Sequence, residues 1–298
     1  MSTNKSYEYD LTIIVVTWNS EEEIAECLNA VYKNKTLQEK IKIETIIIDN
    51  GSVDTTVNNI KNFIKLIDKE ITLIENKGNL GFTKACNQGL KASRGKEIMF
   101  LNPDTQVMGD AVLKLYEHLN SDENIGAVAP QQISLGNNIL HSCRTFPKYR
   151  DIFFEFLFLS RIFSKSNFFG RWKMKYFDHN SLRQVDQPMA AGLMVKKDVF
   201  DKIGGLDEQY TMFFNDVDFC KNIYKAGYKI MFDPAAKLIH HIGASVFRDR
   251  ARMIKIWNKD CRKYFKKHNF NVLLYPFFTT GLFVSQVFRV IYHKIRRN

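Results

Sequence analysis

The first ten residues, MSTNKSYEYD, lack the basic cluster followed by an apolar run that directs export, so no export is expected. Cysteine is sparse and unpatterned. Cys27, Cys86, Cys143, Cys220 and Cys261 are odd in number and never fall at metal or redox spacing, which argues against a disulfide framework and fits a reducing, cytoplasmic compartment. Internal repeats and low-complexity segments are missing, and the apolar share of 45% sets disorder aside. The turn after the first apolar run reads TWNSEEEI and holds no glycine. That counts against a dinucleotide-binding oxidoreductase, although strands and helices alternate as that fold would require. Residues 1–247 lack even a net charge, because 30 basic and 30 acidic side chains balance.

The whole formal charge of +11 therefore belongs to residues 248–298, where thirteen Lys and Arg face only Asp249 and Asp260. RDRARMIKIWNKDCRKYFKKH reads as a cationic amphipathic helix. VLLYPFFTTGLFVSQVF, residues 272–288, is uncharged and mostly apolar, and Pro276 and Gly281 interrupt it. Seventeen residues sit at the lower bound for a membrane span. The segment reads as one that lies on or dips into a bilayer with its cations on anionic headgroups; a soluble basic helix pair is the alternative. A peripheral place on the inner face of the cell membrane follows. No nucleic-acid motif accompanies the cations, so nucleic acid is not an expected partner.

The first third alternates apolar β-rich runs with helical patterns. LTIIVVTWN (11–19), IKIETIIIDN (41–50), ITLIEN (71–76) and EIMFLN (97–102) read as strands of consecutive βα units on a parallel sheet. GAVAPQQIS (126–134) and PMAAGLMV (188–195) add two more strands. Between them lies FPKYRDIFFEFLFLSRIFSKSNFFGRWKMKYF, residues 146–177, dense in aromatics and cations. It reads either as a helix pair with its aromatic face in the core or as an insert that meets the acceptor or a membrane.

The ends of these strands carry the chemistry. In IMFLNPDT, Pro103 cannot donate to a ladder, so the strand stops and leaves Asp104 at its carboxyl edge, where open α/β sheets bind ligands. The bland alternative makes Asp104 a cap for the helix that begins near Asp110. In DNGSVDTT, Asp49 ends a strand and can accept the N–H of a pyrimidine, with Thr17 and Asn19 as neighbours for the same base or ribose; Asp54 suits a helix cap. In NLGFTKACNQGL, Gly81 lets backbone approach a diphosphate at a helix N-terminus, and amides stand at 79, 87 and 88. In FFNDVDFC, Asp218 suits a helix dipole, whereas Asp216 follows two aromatics that raise its proton affinity, as a general base requires. Of His240 and His241, alternation lets one face the cleft and join Asp104 around a divalent ion.

Taken in order, TWNS, DNGSVDTT, NLGFTKACNQGL, FLNPDT, AAGLMVKKDVFDKIGGLDEQ, FFNDVDFC and HHIGAS resemble the family 2 inverting glycosyltransferases, above all bacterial rhamnosyltransferase-like members, over residues 10–247. The resemblance implies a GT-A fold: a central, mostly parallel mixed sheet flanked by helices. Residues 1–120 would form a nucleotide-binding half and 121–247 an acceptor half, with a basic and apolar helical tail at 248–298. It implies a dTDP- or UDP-linked sugar donor and a divalent cation, Mg2+ or Mn2+. Thr17 and Asp49 match nucleoside-binding positions, with Asn19, Gly81 and Asn87 on the donor side; Asn102 and Asp104 fall on the Asp-x-Asp element, Asp216 on the general base, and His240 on a metal ligand. Asn102 and Asn215 depart from the family by replacing acids. The implied reaction moves rhamnose or a related hexose to a saccharide acceptor, polyprenyl-diphosphate-linked, in cell-surface polysaccharide synthesis, and a homodimer is among the expectations. The two Asn prompt a rival: a non-catalytic glycan- or membrane-binding protein on a degenerate transferase scaffold.

Overall fold

A computed structural model describes residues 6–241 and 250–295; the 242–249 stretch, which holds most of HHIGAS and the expected tail boundary, lies outside the described residues. Four parallel strands open the chain: β1 (Tyr9–Thr17), β2 (Ile43–Asp49), β3 (Ile71–Glu75) and β4 (Gly95–Leu101). They are joined by α1 (Ile24–Tyr32) with α2 (Lys35–Lys40), by α3 (Thr56–Leu66) and by α4 (Phe82–Ala92). Next come β5 (Thr105–Val107), α5 (Ala111–Leu119), β6 (Ile125–Ile133) and a two-residue β7 (Cys143–Arg144). The aromatic segment forms α6 (Tyr149–Phe156) and α7 (Leu159–Ile162), followed by β8 (Arg183–Gln184), β9 (Gln187–Pro188) and β10 (Leu193–Lys196). The chain continues through α8 (Lys197–Ile203), α9 (Asn215–Lys225), β11 (Lys229–His240), α10 (Arg250–His268) and α11 (Leu274–Ile295).

The sheet runs β3-β2-β1-β4-β10-β6-β11-β5, with β8 on β11, while β7 and β9 form a separate ribbon. β10 is antiparallel to β4 and β6, and β5 is antiparallel to β11. Every residue of β2 is buried, as a strand covered on both faces demands. Alternation then sorts the side chains: Leu11, Ile13, Val15 and Ile47 face the core under α1, α3 and α5, whereas Ile14, Ile46 and Ile48 face the core shared with α4, α9 and α10. Pro130 is tolerated inside β6 because it lies opposite Asp233, where the ladder to β11 shifts register.

The tail is not a loose appendage. Cys261, Tyr264 and Phe265 of α10, with Phe278 and Leu282 of α11, are buried in the same core as β4 and α9. Two buried acids tie α10 to the body. Asp260 accepts the backbone N–H groups of Thr211, Met212 and Phe213 at 3.1, 3.1 and 3.2 Å. Asp218 on α9 takes His268 at 2.6 Å and Lys267 at 2.8 Å.

Candidate active site

β1 and β2 pair in parallel with Thr17 opposite Asp49, so the first two motif-bearing strand ends lie side by side. Asp49 first organises its own turn. Its Oδ2 accepts the N–H of Gly51 at 3.1 Å and of Ser52 at 2.9 Å, and its Oδ1 accepts the Ser52 hydroxyl at 2.5 Å. Asn19, at a φ of 51°, bridges to the same turn: its N–H donates to Ser52 Oγ at 2.9 Å and its Oδ1 accepts from Val53. The Thr17 hydroxyl is buried with no hydrogen-bond partner among the described residues, an unsatisfied group at the head of the sheet. Gly51, at a φ of 80°, lies so close to Gly78 that an added Cβ would stand 2.6 Å from the Gly78 Cα, and this contact draws the β3–α4 loop against the turn.

Asn50 then holds that loop, its Oδ1 accepting from Leu80 at 3.0 Å and its amide donating to Asn79 at 3.2 Å. Gly81, at a φ of 88°, precedes the first turn of α4. Asn87 is not brought to this edge. Its side chain donates to Leu206 O at 2.8 Å and accepts from Leu206 N at 2.9 Å, which ties α4 to the loop before α9.

β4 ends at Leu101, one residue before Asn102, and Asp104 caps no helix. A short strand, β5, intervenes, and α5 starts only after Asp110. β5 pairs with the end of β11, placing Thr105 opposite His240 and Asp104 beside that histidine. His240 Nε2 lies 3.4 Å from Asp104 Oδ1, an oxygen that is buried and has no hydrogen-bond partner among the described residues. The other ring nitrogen, Nδ1, is 2.9 Å from Gln132 Oε1, and the Gln132 amide donates to Ala191 O at 2.8 Å. Since Gln132 thereby presents oxygen, Nδ1 must carry the proton. In its neutral form the ring would turn the Nε2 lone pair toward a carboxylate, an arrangement that a shared cation would satisfy. An orphaned acid oxygen beside an imidazole nitrogen is a donor set suited to a divalent ion. No group of three or more His, Cys, Asp or Glu able to hold a metal occurs among the described residues.

Asp216 enters from the start of α9. Phe214, at a φ of 60°, turns the chain into the helix, and Asp216 Oδ1 accepts the Val217 N–H at 2.8 Å. Gln187 of the ribbon donates to Asp216 Oδ2 at 2.8 Å, and Arg144, opposite Gln187 on β7, brings a positive charge nearby. Burial raises the Asp216 carboxyl to about 6, against the opposing pull of Val217 N–H and Arg144. The ribbon continues from Gln187 to Ala191, whose carbonyl fixes Gln132 and through it His240. The base candidate and the Asp104 corner are thus joined by one connected set of contacts. Neither Gln187 nor Arg144 nor Gln132 announces itself in sequence; the first two occupy two-residue strands with no periodicity to read.

A family model described as glycosyl transferase family 2 matches residues 12–184, more than half of the chain. The chain belongs to this family. A Mycobacterium tuberculosis relative, N-acetylglucosaminyl-diphospho-decaprenol L-rhamnosyltransferase, is 23% identical over 264 residues, covering 84% of this chain and 81% of that one. An uncharacterized protein of Sinorhizobium fredii is 26% identical over 216 residues; the match covers 68% of this chain but only 21% of that relative's length. Among solved structures, a mannosyltransferase from Pyrobaculum calidifontis in complex with GDP-Man and Mn2+ superposes with a TM-score of 0.60 at 16% identity, covering 96% of this chain and 76% of that one. The family 2 transferase accordingly carries the GT-A fold expected of it.

Proposed function

We propose that this glycosyltransferase moves a sugar, rhamnose or a related hexose, with inversion from a uridine or thymidine diphosphate sugar to a saccharide hydroxyl carried on a polyprenyl diphosphate at the inner membrane face. One observation carries the catalytic reading: a carboxyl raised to about 6 by burial, held by Gln187 and the first turn of α9, and linked through the Gln187–Ala191 stretch and Gln132 to the His240 corner that bears the orphaned Asp104 oxygen. A base of that strength is largely ionised near neutral pH and still basic enough to take a proton from a hydroxyl at bond formation.

Asp216 accepts that proton as the acceptor oxygen attacks the anomeric carbon and the bond to the diphosphate breaks. Asp49, whose Oδ1 accepts one hydrogen bond and retains acceptor capacity, takes the pyrimidine N–H, and Thr17 and Asn19 line the nucleoside side. The start of α4 at Gly81 offers backbone N–H groups to the diphosphate. Asp104 and His240 would hold Mg2+ or Mn2+, with remaining positions left to diphosphate oxygens and water, and Asn102 stands at the same turn. That ion, when bound, offsets charge building on the leaving group. The name of the M. tuberculosis relative supports both the rhamnosyl and the polyprenyl parts of this reading.

Transfer assays on Asp216→Asn and Asp104→Ala, preceded by a thermal-shift screen of nucleotide sugars with Mn2+ or Mg2+, test it. Losses of roughly a hundredfold or more are expected for the base variant. Unchanged turnover in both variants would overturn the roles given to Asp216 and Asp104.

A further inference from the structure

The aromatic segment between β7 and β8 is only partly absorbed into the core. Ile152 and Phe154 point inward, but Phe153, Leu157, Phe158, Ile162, Phe163 and Phe168 are exposed. Phe158 joins α6 to α7 at a φ of 59°, a left-handed conformation that bulky side chains rarely adopt, and 56% of it faces outward. The charges of this segment are sorted. Lys148, Arg150, Arg161 and Lys165 are exposed, whereas Asp151 is buried against Arg171 and Glu155 is paired with Lys173. Over residues 148–168 the outer face thus presents aromatics and cations with no exposed acid; Asp178, nearer β8, is exposed.

α6 lies alongside α11. Phe156 packs on Gly281, the Tyr149 and Phe278 rings are 5.0 Å apart, and Arg161 is close enough to Arg289 for their charges to interact. α11 is the one described helix long and apolar enough to cross a membrane, over Leu274–Ile291 with mean hydropathy 1.2. Its two faces differ. Leu274, Phe277, Val284, Phe288 and Ile291 recur at helical spacing and are exposed, while Phe278 and Leu282 are buried. On the inner face Asn258 of α10 donates to Leu282 O at 3.2 Å and to Gln286 at 3.0 Å, and Arg289 donates to Asn258 at 3.0 Å. A helix bolted to a cationic partner along that length cannot cross hydrocarbon without taking the partner with it.

We infer that the α6–α7 hairpin and the outer stripe of α11 form one lipid-docking face, seated in the plane of an anionic membrane surface with the Phe158 tip inserted. This deepens the membrane part of the proposed function and rests on it. Aromatic side chains at the acyl boundary with cations at headgroup level are the chemistry of an interfacial, non-spanning anchor. A neutral catalytic body behind such a face would meet an acceptor whose lipid holds it in the same plane.

Co-sedimentation of the full chain with vesicles of phosphatidylglycerol and phosphatidylcholine, or phosphatidylcholine alone, reads this out. Phe158→Ser with Phe163→Ser, and separately Phe277→Ser with Phe288→Ser, should each weaken partition by about tenfold or more. Arg161→Gln with Lys165→Gln should weaken binding to the anionic vesicles alone. Wild-type retention of the hairpin variants beside loss in the α11 pair would overturn the composite face and leave the tail reading standing; failure of the unmodified chain to bind would overturn both. A lipid-free dimer in analytical ultracentrifugation, dispersed by the hairpin pair with vesicle binding unchanged, would assign the face to a second copy instead. Resistance of bound protein to alkaline carbonate extraction would overturn the in-plane placement.

Discussion

Asp260 offers a sharp test of how the tail serves the site. Its carboxylate is fully buried, and one oxygen accepts three consecutive N–H groups, from Thr211, Met212 and Phe213, at 3.1 to 3.2 Å. The other oxygen has no hydrogen-bond partner among the described residues, and Lys263 stands 3.9 Å away. The gripped segment leads directly to Phe214 and Asp216, and its preceding residue, Tyr210, is held from the other side by Thr83 of α4 at 3.1 Å. Asp260→Ala strands three partly buried donors worth about 1–3 kcal/mol each if fully buried; solvent access and relaxation of the loop reduce the sum to roughly 3–5 kcal/mol. Asp260→Asn keeps an acceptor oxygen but loses its charge, which puts its cost near 1–2 kcal/mol. Because the proposed base, Asp216, rides on this segment, kcat in the Asn variant should fall by about tenfold or more, with donor affinity little changed, since misplacing a reacting group by even a fraction of an ångström is expensive. Urea unfolding gives the stability, and steady-state kinetics with direct nucleotide-sugar titration give the rest. An Asp260→Ala protein within about 0.5 kcal/mol of the parent, with the parent's kcat, would refute the claim that α10 positions the base.

Four further outcomes follow from the same geometry. The rate should climb with pH through about 6 as Asp216 ionises. Because burial raises that carboxyl above its unfolded value, its contribution to stability is present at low pH and lost as pH rises through about 6; Asp216→Asn should therefore be inactive yet more stable than the parent at pH 7.5, by about 1–3 kcal/mol in urea unfolding. Glu97, buried near the opposite edge of β4 and pushed up to about 7 by burial, has the same sign: stability declines as pH rises through about 7, and Glu97→Gln should flatten that decline in a pH series of thermal melts. His240→Ala should reduce the melting-temperature gain given by Mn2+ with nucleotide while leaving the metal-free melt within about 3 °C, as a ligand residue and not a packing residue would.

The strand ends were readable because parallel strands buried on both faces write themselves as apolar runs, and proline and Asn-Gly turns mark where they stop. Thr17, Asp49 and Asp104 come to the same edge for that reason. What the sequence concealed is pairing at a distance. Lys267 counts toward a cationic tail, yet it and the neighbouring His268 are spent on Asp218, about 50 positions earlier. Asn87 sits in a motif that reads as donor-facing, but its place on α4 turns it toward Leu206. Gln187 and Arg144 occupy strands too short for any pattern, so only the folded ribbon brings them to the base.

The same distinction bears on the two asparagines that stand where the family has acids. Asn215 is only 4% exposed; its Oδ1 accepts the Asp216 N–H at 2.6 Å and its amide donates to Thr83 at 3.3 Å. A carboxylate could accept the first bond but could not donate the second, and it would place a second buried charge beside the base. The amide therefore adds no second carboxylate to the balance of desolvation, hydrogen bonds and Arg144 that sets the proton affinity of Asp216, and it ties that helix to α4. Asn102 contributes through its backbone, where its carbonyl takes both the Thr105 N–H at 3.2 Å and the Thr105 hydroxyl at 2.6 Å and so fixes the turn that aims Asp104 at His240. With one carboxylate and one imidazole at that corner, charge balance for a divalent ion must come from the donor's diphosphate. Metal and nucleotide sugar should then bind cooperatively, each weakly without the other.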